Sequence, residues 1–293
     1  MTKTVYCIGS VLWDVIGRTD AALSIGSDVG GRISRGPGGV ALNIAMALTQ
    51  QNLRAELVSV IGTDPDGATL REACLAMGLG CGALQSRADL PTDQYMAIED
   101  ANGVVSAIAD AHSLEAAGQS VLAPFLDGTI GSDALPFDGI IALDGNLTES
   151  VLGFIATAPA FARADLRVAP ASPGKATRLK ALLHHPNASF YINLTEARSL
   201  GATGAETADA AAQMLVAQGC KRVIVTDGHR LAADEDAAGC CQTQPPQVAQ
   251  ARVTGAGDTL MAAHIAAELQ GQSREAALDH ACHTAAHFVS GED

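Results

Sequence analysis

The chain has 293 residues, of which 48% are hydrophobic and 17% charged, and its net charge is −14. A chain of this length and composition can bury a large core, which excludes global disorder. The negative charge excludes non-specific binding to nucleic acids or anionic membranes, because its long-range field repels phosphates. A nucleotide would therefore have to be held by a local site, with Mg²⁺ supplying positive charge.

The cysteines and histidines show no disulfide or metal-binding spacing. The seven cysteines are odd in number and lack a C-x-x-C pair, and the eight histidines lack H-E-x-x-H. Such thiols are typical of a reducing compartment. No run of about 18 uncharged apolar residues occurs, and the start has no basic region followed by a long apolar run. We therefore expect a cytoplasmic protein without membrane contact.

Two early segments carry candidate substrate-binding residues. The first predicted strand, 5–9, ends in Gly-Ser, and Asp14 follows it. Ligands of parallel α/β sheets bind just past the carboxyl ends of strands, so Asp14 could hold a substrate, although a solvated loop aspartate is an equal alternative. Gly38 and Gly39 then lead into a helix in which Asn43 lies off the apolar row. The glycines let a ligand approach the backbone, and Asn43 offers a donor and an acceptor to vicinal hydroxyls.

A hairpin interrupts the first half of the chain. Residues 94–98 and 104–108 are extended runs joined through an Asn-Gly dipeptide, the strongest short hairpin signal. A hairpin inserted in an α/β chain is typical of a protrusion. Residues from about 14–35 and 92–110 are therefore predicted to form a small β lid, and such lids often double as dimer surfaces.

Strands and helices alternate along the rest of the chain. Strands are predicted at 55–61, 140–143, 166–169, 190–193 and 222–226, and helices at 70–77, after Thr148, and at 175–183, 255–270 and 273–289. This alternation predicts a parallel sheet with helices on both faces. The segment 227–250 is predicted to be a surface β-excursion.

Two further positions allow more than one interpretation. Asn193 and Glu196, three residues apart at a helix start, could form a capping box or could orient Mg²⁺-bound water on a triphosphate. His283 lies on a helix face that could flank an adenine, and a hydrogen-bonded structural histidine is the alternative.

The segment around Gly255, Ala256, Gly257 and Asp258 carries the functional interpretation. Two glycines at a helix start leave backbone N–H groups facing a ligand, which makes an anion site. A carboxylate beside that site is explained if Asp258 is a general base, taking a proton from a hydroxyl while the N–H groups hold a phosphoryl group in transfer. A capping role without catalysis is the alternative.

Taken together, Gly38-Gly39-x-x-x-Asn43, Asn193-x-x-Glu196 and Thr254-Gly255-Ala256-Gly257-Asp258 resemble the PfkB (ribokinase-like) family of sugar and nucleoside kinases, over essentially the whole chain. The resemblance implies a single α/β domain over residues 1–293: a ribokinase-like three-layer sandwich with a mostly parallel central sheet and a β lid that often mediates homodimerisation. It also implies ATP- and Mg²⁺-dependent phosphorylation of a hydroxymethyl group.

The resemblance assigns roles residue by residue. Asp258 would be the base, and Gly255, Ala256 and Gly257 the anion hole. The phosphoryl acceptor, which is the sugar or nucleoside substrate, would be held by Asp14, Gly38, Gly39, Asn43 and Asn146. The nucleotide side would comprise Asn193 and Glu196, acting on the Mg²⁺-phosphate, and Thr226, Gly228 and His283. No side chain is expected to bind the metal directly, since Glu196 would act through water.

Within the family the chain is most similar to pseudouridine kinases. The stretches that carry this similarity are Pro37-Gly38-Gly39-Val40…Asn43-Ile44-Ala45, Tyr95…Asp100-x-x-Gly103…Ala107-Ile108-x-Asp110, Asp144-x-Asn146-Leu147-Thr148-Glu149 and Val253-Thr254-Gly255-Ala256-Gly257-Asp258. We therefore predict phosphorylation of the 5′-hydroxyl of a ribosyl group, with pseudouridine favoured. A kinase for ribose, a fructose-type sugar or another nucleoside is an alternative, as is a non-catalytic nucleotide or sugar sensor. A Rossmann-type dehydrogenase is disfavoured, because the first strand turn lacks G-x-G-x-x-G.

Two departures from the family pattern stand out. Relatives often carry an aspartate two residues before the Thr of the Gly-Ala-Gly-Asp turn, where it helps a monovalent cation, and this chain has Arg252. The requirement for a monovalent cation therefore stays open. Ala169 stands where relatives commonly carry an aspartate near the phosphates.

Overall fold

A computed structural model of the chain describes residues 3–24, 26, 28–101, 103–249 and 254–291. Asn102 of the predicted hairpin turn, and Arg252 and Val253 before the Gly-Ala-Gly-Asp turn, lie outside the described residues. Within the described ranges, no helix combines the length and apolar character that a membrane crossing requires.

The strands form a large sheet and a small one. In chain order the strands are β1 (Thr4–Ile8), β2 (Leu12–Arg18), β3 (Arg32–Gly38), β4 (Arg54–Gly62), β5 (Leu84–Arg87), β6 (Gln94–Asp100), β7 (Gly103–Asp110), β8 (Ile140–Asp144), β9 (Asp165–Ala169), β10 (Ala188–Asn193), β11 (Arg222–Thr226), β12 (Ala232–Asp236) and β13 (Gly239–Thr243). The nine-stranded sheet has the order β13-β12-β11-β10-β9-β8-β1-β4-β5, and the four-stranded sheet the order β3-β2-β6-β7. Every pairing from β11 to β5 is parallel, and β12 and β13 add an antiparallel excursion at one edge. The predicted mostly parallel sheet is thus confirmed.

Helices cover both faces of the large sheet. They are α1 (Val40–Gln50), α2 (Pro65–Ala76), α3 (His112–Ala117), α4 (Glu149–Thr157), α5 (Leu194–Leu200), α6 (Ala208–Ala217), α7 (Ala256–Leu269) and α8 (Arg274–Ser290). Because successive strand residues point to opposite faces, Val223 and Val225 of β11 join one apolar cluster and Ile224 joins the other. The first cluster contains residues of α3 to α6, and the second residues of α1, α2, α7 and α8. This is the predicted three-layer arrangement.

One predicted helix has a different form. Residues Pro173–Leu182, predicted as an α-helix over 175–183, form 3₁₀ turns. Their buried residues, Ala176, Leu179 and Leu182, recur every third position. A 3₁₀-helix has three residues per turn, so this spacing keeps one face against the core. The α-helical prediction was wrong, because it did not take into account that the apolar residues of this segment recur every three positions.

The four-stranded sheet, here called the lid sheet, occupies the predicted lid segments. Strand β2 pairs in parallel with β6 and antiparallel with β3, and β6 pairs antiparallel with β7. Asp14 of β2 lies opposite Gly36 and Tyr95, whereas Val15 lies opposite Arg35 and Met96. Paired residues share a face, so these two sets lie on opposite faces of the lid sheet.

A buried ion-pair cluster anchors the C-terminal half of α7. Glu268 accepts hydrogen bonds from Arg167 and from Arg222, the latter at 2.5 Å. His264, fully buried, lies 2.9 Å from the Tyr191 hydroxyl. Burial lowers the pKa of His264 to about 4, so this histidine is neutral near pH 7. The far end of α7 is thereby fixed to strands β9, β10 and β11.

Candidate active site

The N-terminus of α7 presents backbone donors without intrahelical acceptors. Gly255 precedes the helix with φ +90°, a left-handed conformation that favours glycine, and provides no side-chain cap. The first intrahelical bond runs from Thr259 N–H to the Gly255 carbonyl at 2.9 Å. The N–H groups of Ala256, Gly257 and Asp258 therefore have no acceptor within the helix, and no described side chain caps them. Their positive potential suits an anionic ligand.

Asp258 lies at this helix start and contacts α1. Asn43 Nδ2 donates to Asp258 Oδ2 at 3.1 Å, joining residues 215 positions apart. Burial raises the pKa of Asp258 to about 7, the Asn43 hydrogen bond opposes this, and the charges of Asp144, Glu196 and Asp14 raise it further. A carboxylate that titrates near neutral pH can both accept and release a proton.

The N-terminus of α1, in contrast, is closed by protein atoms. Val40 N–H donates to Ser10 Oγ at 2.8 Å, and Ala41 N–H donates to Asp144 Oδ2 at 3.1 Å. The same Asp144 oxygen accepts from Ser10 N–H and Ser10 Oγ at 2.8 and 2.9 Å. Gly39, at φ +97°, would carry a Cβ only 2.5 Å from the Ser10 carbonyl. An anion can therefore use the start of α7 but not that of α1.

Ser10 and Asp144 were not among the predicted site residues. Ser10 follows β1 and Asp144 ends β8, which is the strand next to β1. The sequence signal was a polar residue at the carboxyl end of each of two buried strands, and such ends meet at one edge of a parallel sheet. Asp144 is completely buried, so we interpret it as a structural residue whose carboxylate accepts the hydrogen bonds at the N-terminus of α1.

Asp14 lies on the lid sheet next to the glycine turn. A Cβ built on Gly38 would lie 2.1 Å from the Asp14 carboxylate, so glycine lets this side chain lie against the backbone. Burial raises the pKa of Asp14 to about 6. Gly38 leads through Gly39 into α1, and Asn43 of α1 contacts Asp258, so these contacts connect Asp14 with Asp258. The structure thus brings together Asp14, Gly38, Asn43 and Asp258.

Asn146 is held by the protein itself. Its Nδ2 donates to Ser10 Oγ at 2.9 Å, its Oδ1 accepts from Lys175 Nζ at 2.5 Å, and its backbone N–H donates to Asp144 Oδ1 at 2.8 Å. Each end of the amide thus makes one hydrogen bond within the protein and can make one more, and the residue is 8% exposed. Asn146 thus positions Ser10, and its predicted contact with the substrate stays a prediction.

Asn193 and Glu196 form a capping box. Asn193 Oδ1 accepts from Glu196 N–H at 3.0 Å, and Glu196 Oε2 accepts from Asn193 N–H at 2.8 Å. Burial raises the pKa of Glu196, and the negative charge of Glu196 contributes to the raised pKa of Asp258. The capping interpretation is confirmed. The role toward Mg²⁺-bound water stays a prediction, and Oε1 is the oxygen with which Glu196 could perform it.

An apolar cavity of about 180 Å³ adjoins the start of α7. Its lining includes Ala256 and Gly257 at the start of α7, and also Thr226 and Gly228, two of the residues predicted to line the nucleotide. Its other lining residues are His229, Pro245, Pro246, Val248, Leu260, Cys282, Ala285, Ala286 and Val289. His283 is not among them: its side chain is 59% exposed and lies 3.9 Å from Asp279. The α8 face toward the cavity consists of Cys282, Ala285, Ala286 and Val289, and the predicted contact of His283 with an adenine stays a prediction.

The described residues have a ribokinase-like α/β kinase fold. Its features are the large parallel sheet, the lid sheet, and the N-termini of α1 and α7 that lie next to each other. A carbohydrate kinase from Agrobacterium tumefaciens has this fold, with a TM-score of 0.78, 26% identity and coverage of 99% of this chain and 94% of that chain. Ribokinase from Arabidopsis thaliana, complexed with ribose and ATP, gives a TM-score of 0.77 at 21% identity, over 100% of this chain and 94% of that one. Ribokinase from Thermotoga maritima gives a TM-score of 0.80 at 19% identity, over 99% of this chain and 93% of that one.

The sequence comparison gives the family. Residues 2–292 match the pfkB family of carbohydrate kinases, and the chain belongs to that family. A protein of Escherichia coli (strain K12), described as "Uncharacterized sugar kinase YeiI", is 31% identical over 163 residues, which are 54% of this chain. The match covers 42% of that relative's length. The predicted family and enzyme class are confirmed.

Proposed function

We propose that the protein transfers the γ-phosphoryl group of ATP, with Mg²⁺, to the 5′-hydroxyl of a ribosyl substrate, and that pseudouridine is its favoured acceptor. One observation carries this proposal: the Asp258 carboxylate stands beside an uncapped helix N-terminus and is oriented by Asn43. A base and an anion site at one point are the two parts that phosphoryl transfer to a hydroxyl requires.

Asp258 acts as the general base. Asn43 holds one of its carboxylate oxygens, which leaves the other to accept the proton of the acceptor hydroxyl. A pKa of about 7 keeps a large fraction ionised at neutral pH and makes the carboxylate basic enough to take that proton. The N–H groups of Ala256 and Gly257 stabilise negative charge on the phosphoryl oxygens.

The cavity beside α7 fits the donor nucleotide. Its apolar walls suit a planar base, and its lining includes Ala256 and Gly257, whose N–H groups could bind phosphates. When bound, Mg²⁺-ATP supplies the transferable phosphoryl group and positive charge. Glu196 would hold a metal-bound water through Oε1. Solved Arabidopsis and Escherichia coli structures of the same fold, with ATP and with ATP and Mg²⁺ respectively, support this choice of cofactor.

The charges around the acceptor side favour a neutral acceptor. Asp14, Asp144 and Glu196 raise the pKa of Asp258 through their negative charge. A phosphate group of the acceptor next to Asp14 and Asp258 would be repelled, whereas uncharged ribosyl hydroxyls can donate hydrogen bonds to Asp14. Pseudouridine is such an acceptor, and it is favoured by the sequence stretches around Tyr95, Asp144 and Asp258 described above.

The outer face of the lid sheet supports a homodimer. Ile33 is 78% exposed and Ile108 67% exposed, and Met96 and Ile98 are also exposed. Register places all four on the face opposite Asp14. An exposed apolar face of this kind is typical of an interaction surface, and a second copy would cover it with the same residues. Light scattering after size exclusion should give twice the chain mass, and Ile108→Glu should give the monomer; a wild-type monomer would contradict the dimer.

All seven cysteines are unpaired. Unpaired thiols are typical of a reducing compartment, so we propose a cytoplasmic location.

A coupled ADP-release screen tests the proposed function. The acceptors are pseudouridine, uridine, other nucleosides, ribose, fructose and fructose phosphates, each with Mg²⁺-ATP. We expect the highest kcat/KM with pseudouridine and none with fructose phosphates. Turnover of ribose but of no nucleoside would overturn the pseudouridine assignment, and binding of ATP and nucleoside without ADP release would indicate a sensor.

A further inference from the structure

Tyr95 lies beside Asp14 on the inner face of the lid sheet. Asp14 of β2 and Tyr95 of β6 are direct partners in the parallel register. Side chains of such partners project from the same face with Cβ atoms about 5 Å apart. Asp14 lies against Gly38, which leads through Gly39 into α1, and Asn43 of α1 contacts Asp258. Tyr95 therefore stands next to the residues proposed to bind the phosphoryl acceptor.

The electrostatic environment of Tyr95 agrees with this placement. Burial raises the pKa of the Tyr95 hydroxyl, and the charges of Asp14 and then Glu99 raise it further. The phenol is therefore protonated near pH 7 and can donate a hydrogen bond. The side chain is only half-buried, so its ring keeps a surface open to a ligand.

The neighbours of Tyr95 leave room for a flat ligand. On the same face, β7 places Ala109 opposite Tyr95 and Ala107 opposite Ala97. These alanines carry only a methyl group beside the ring. Tyr95 is also the one aromatic residue of β3, β6 and β7, and the other aromatic of the lid strands, Trp13, points to the opposite face. The inner face of the lid sheet thus presents the Tyr95 ring beside small alanine side chains.

We infer that Tyr95 is a specificity-determining residue that stacks against the planar pyrimidine base of a nucleoside acceptor while Asp14 holds its ribose hydroxyls. The inference rests on the proposed function. A base joined to C1′ of a ribose lies next to the 2′-hydroxyl, so a ribose bound at Asp14 brings its base to the adjacent strand position. The Tyr95 hydroxyl can donate to a carbonyl oxygen of the base. Recognition of the base in this way distinguishes nucleosides from free sugars.

The test compares three variants of the full chain with the wild type. Tyr95→Leu keeps apolar bulk without a ring, and Tyr95→Phe keeps the ring without the hydroxyl. Gln94→Ala, one residue away on the opposite face, is the matched control. Steady-state kinetics measure kcat/KM for pseudouridine, uridine and ribose, and KM for ATP. Titration calorimetry with pseudouridine measures binding independently of turnover.

Loss of base stacking should lower kcat/KM for nucleosides by roughly 5- to 150-fold in Tyr95→Leu. We expect Tyr95→Phe, which loses only the hydroxyl contact, to fall by a smaller factor than Tyr95→Leu, and Gln94→Ala to match the wild type. The KM for ATP and any ribose activity should stay unchanged in all three. These quantities would fall together if Tyr95 served only to stabilise the fold.

The outcomes separate this inference from the proposed function. Nucleoside turnover that Tyr95→Leu leaves unchanged, or an equal loss in Tyr95→Leu and Tyr95→Phe, overturns stacking while the kinase assignment stands. A wild-type enzyme that phosphorylates free sugars and neither binds nor phosphorylates any nucleoside overturns both.

Discussion

Replacing Asp258 by Asn tests the mechanism and the electrostatics of the site together. The amide can still accept the hydrogen bond from Asn43, so the local geometry is kept, but it cannot take a proton. General-base assistance contributes about 10²- to 10⁴-fold to a rate. We expect kcat to fall by at least about 10²-fold while the affinity for ATP barely changes.

The same substitution should stabilise the protein at higher pH. A pKa raised from 3.8 to about 7 disfavours the ionised form in the folded state by about 4 kcal/mol in full. Because the side chain is partly exposed, solvent screening reduces this to about 1–2 kcal/mol. The folded state binds this proton more tightly, so its contribution to stability is present below pH 4 and is lost as pH rises through 7. Asparagine does not ionise, so Asp258→Asn should gain stability over the wild type between these values.

Two assays measure these effects. In the coupled ADP assay, wild-type kcat/KM should rise with pH through a limb near 7, as the base deprotonates. Thermal unfolding at pH 5 and pH 8 should show the variant gaining on the wild type at the higher pH. Turnover retained in Asp258→Asn would remove the carboxylate from the mechanism, and an equal difference in Tm at both pH values would contradict the raised pKa.

Three further substitutions address the acceptor site, the α1 turn and the nucleotide cavity. Gly38→Ala would place a Cβ against the Asp14 carboxylate, so we expect the acceptor KM to rise about tenfold or more with the KM for ATP unchanged; an unchanged acceptor KM would mean that Asp14 does not bind the acceptor. Asp144→Ala leaves four buried hydrogen-bond donors without their acceptor and should lower the free energy of unfolding, measured in urea, by about 3–5 kcal/mol. The exposed control Asp138→Ala should lower it by less than about 0.5 kcal/mol. A comparable loss in both variants would refute the role of Asp144 in closing the N-terminus of α1. Ala286→Phe fills the cavity beside α7 and should raise the KM for ATP about tenfold, leaving the acceptor KM as it was; an unaffected KM for ATP would move the nucleotide elsewhere.

The regular alternation of predicted strands and helices along the chain made the large sheet predictable. The strand Arg222–Thr226 has the predicted bounds, and the strands 140–144 and 188–193 differ from prediction by one or two residues at an end. Helix α2 begins at Pro65, five residues before its predicted start. Asp64 caps it through Gly67 N–H, and proline at the first helical position was a signal that the sequence already held.

The candidate site was predictable only in part. Glycine turns and the acid at the start of α7 carry a local signature, so Gly38, Asn43 and Asp258 could be proposed from the sequence. For Ser10 and Asp144 the signal was weaker, because a polar residue at the end of a buried strand is common and the two residues lie 134 positions apart. The direction of the His283 side chain depends on how α8 packs on α7, which residue spacing alone does not determine.

The ion-pair cluster around Glu268 has a consequence for how this enzyme can vary. Ten residues of helix, about 15 Å, separate Glu268 from Asp258. A stiff helix transmits a tilt at one end to the other, so a substitution at Arg167 or Arg222 would shift the Asp258 carboxylate, the proposed base, without touching any ligand. Thermal tolerance and turnover are therefore expected to change together when these arginines are altered, and neither could be improved there alone.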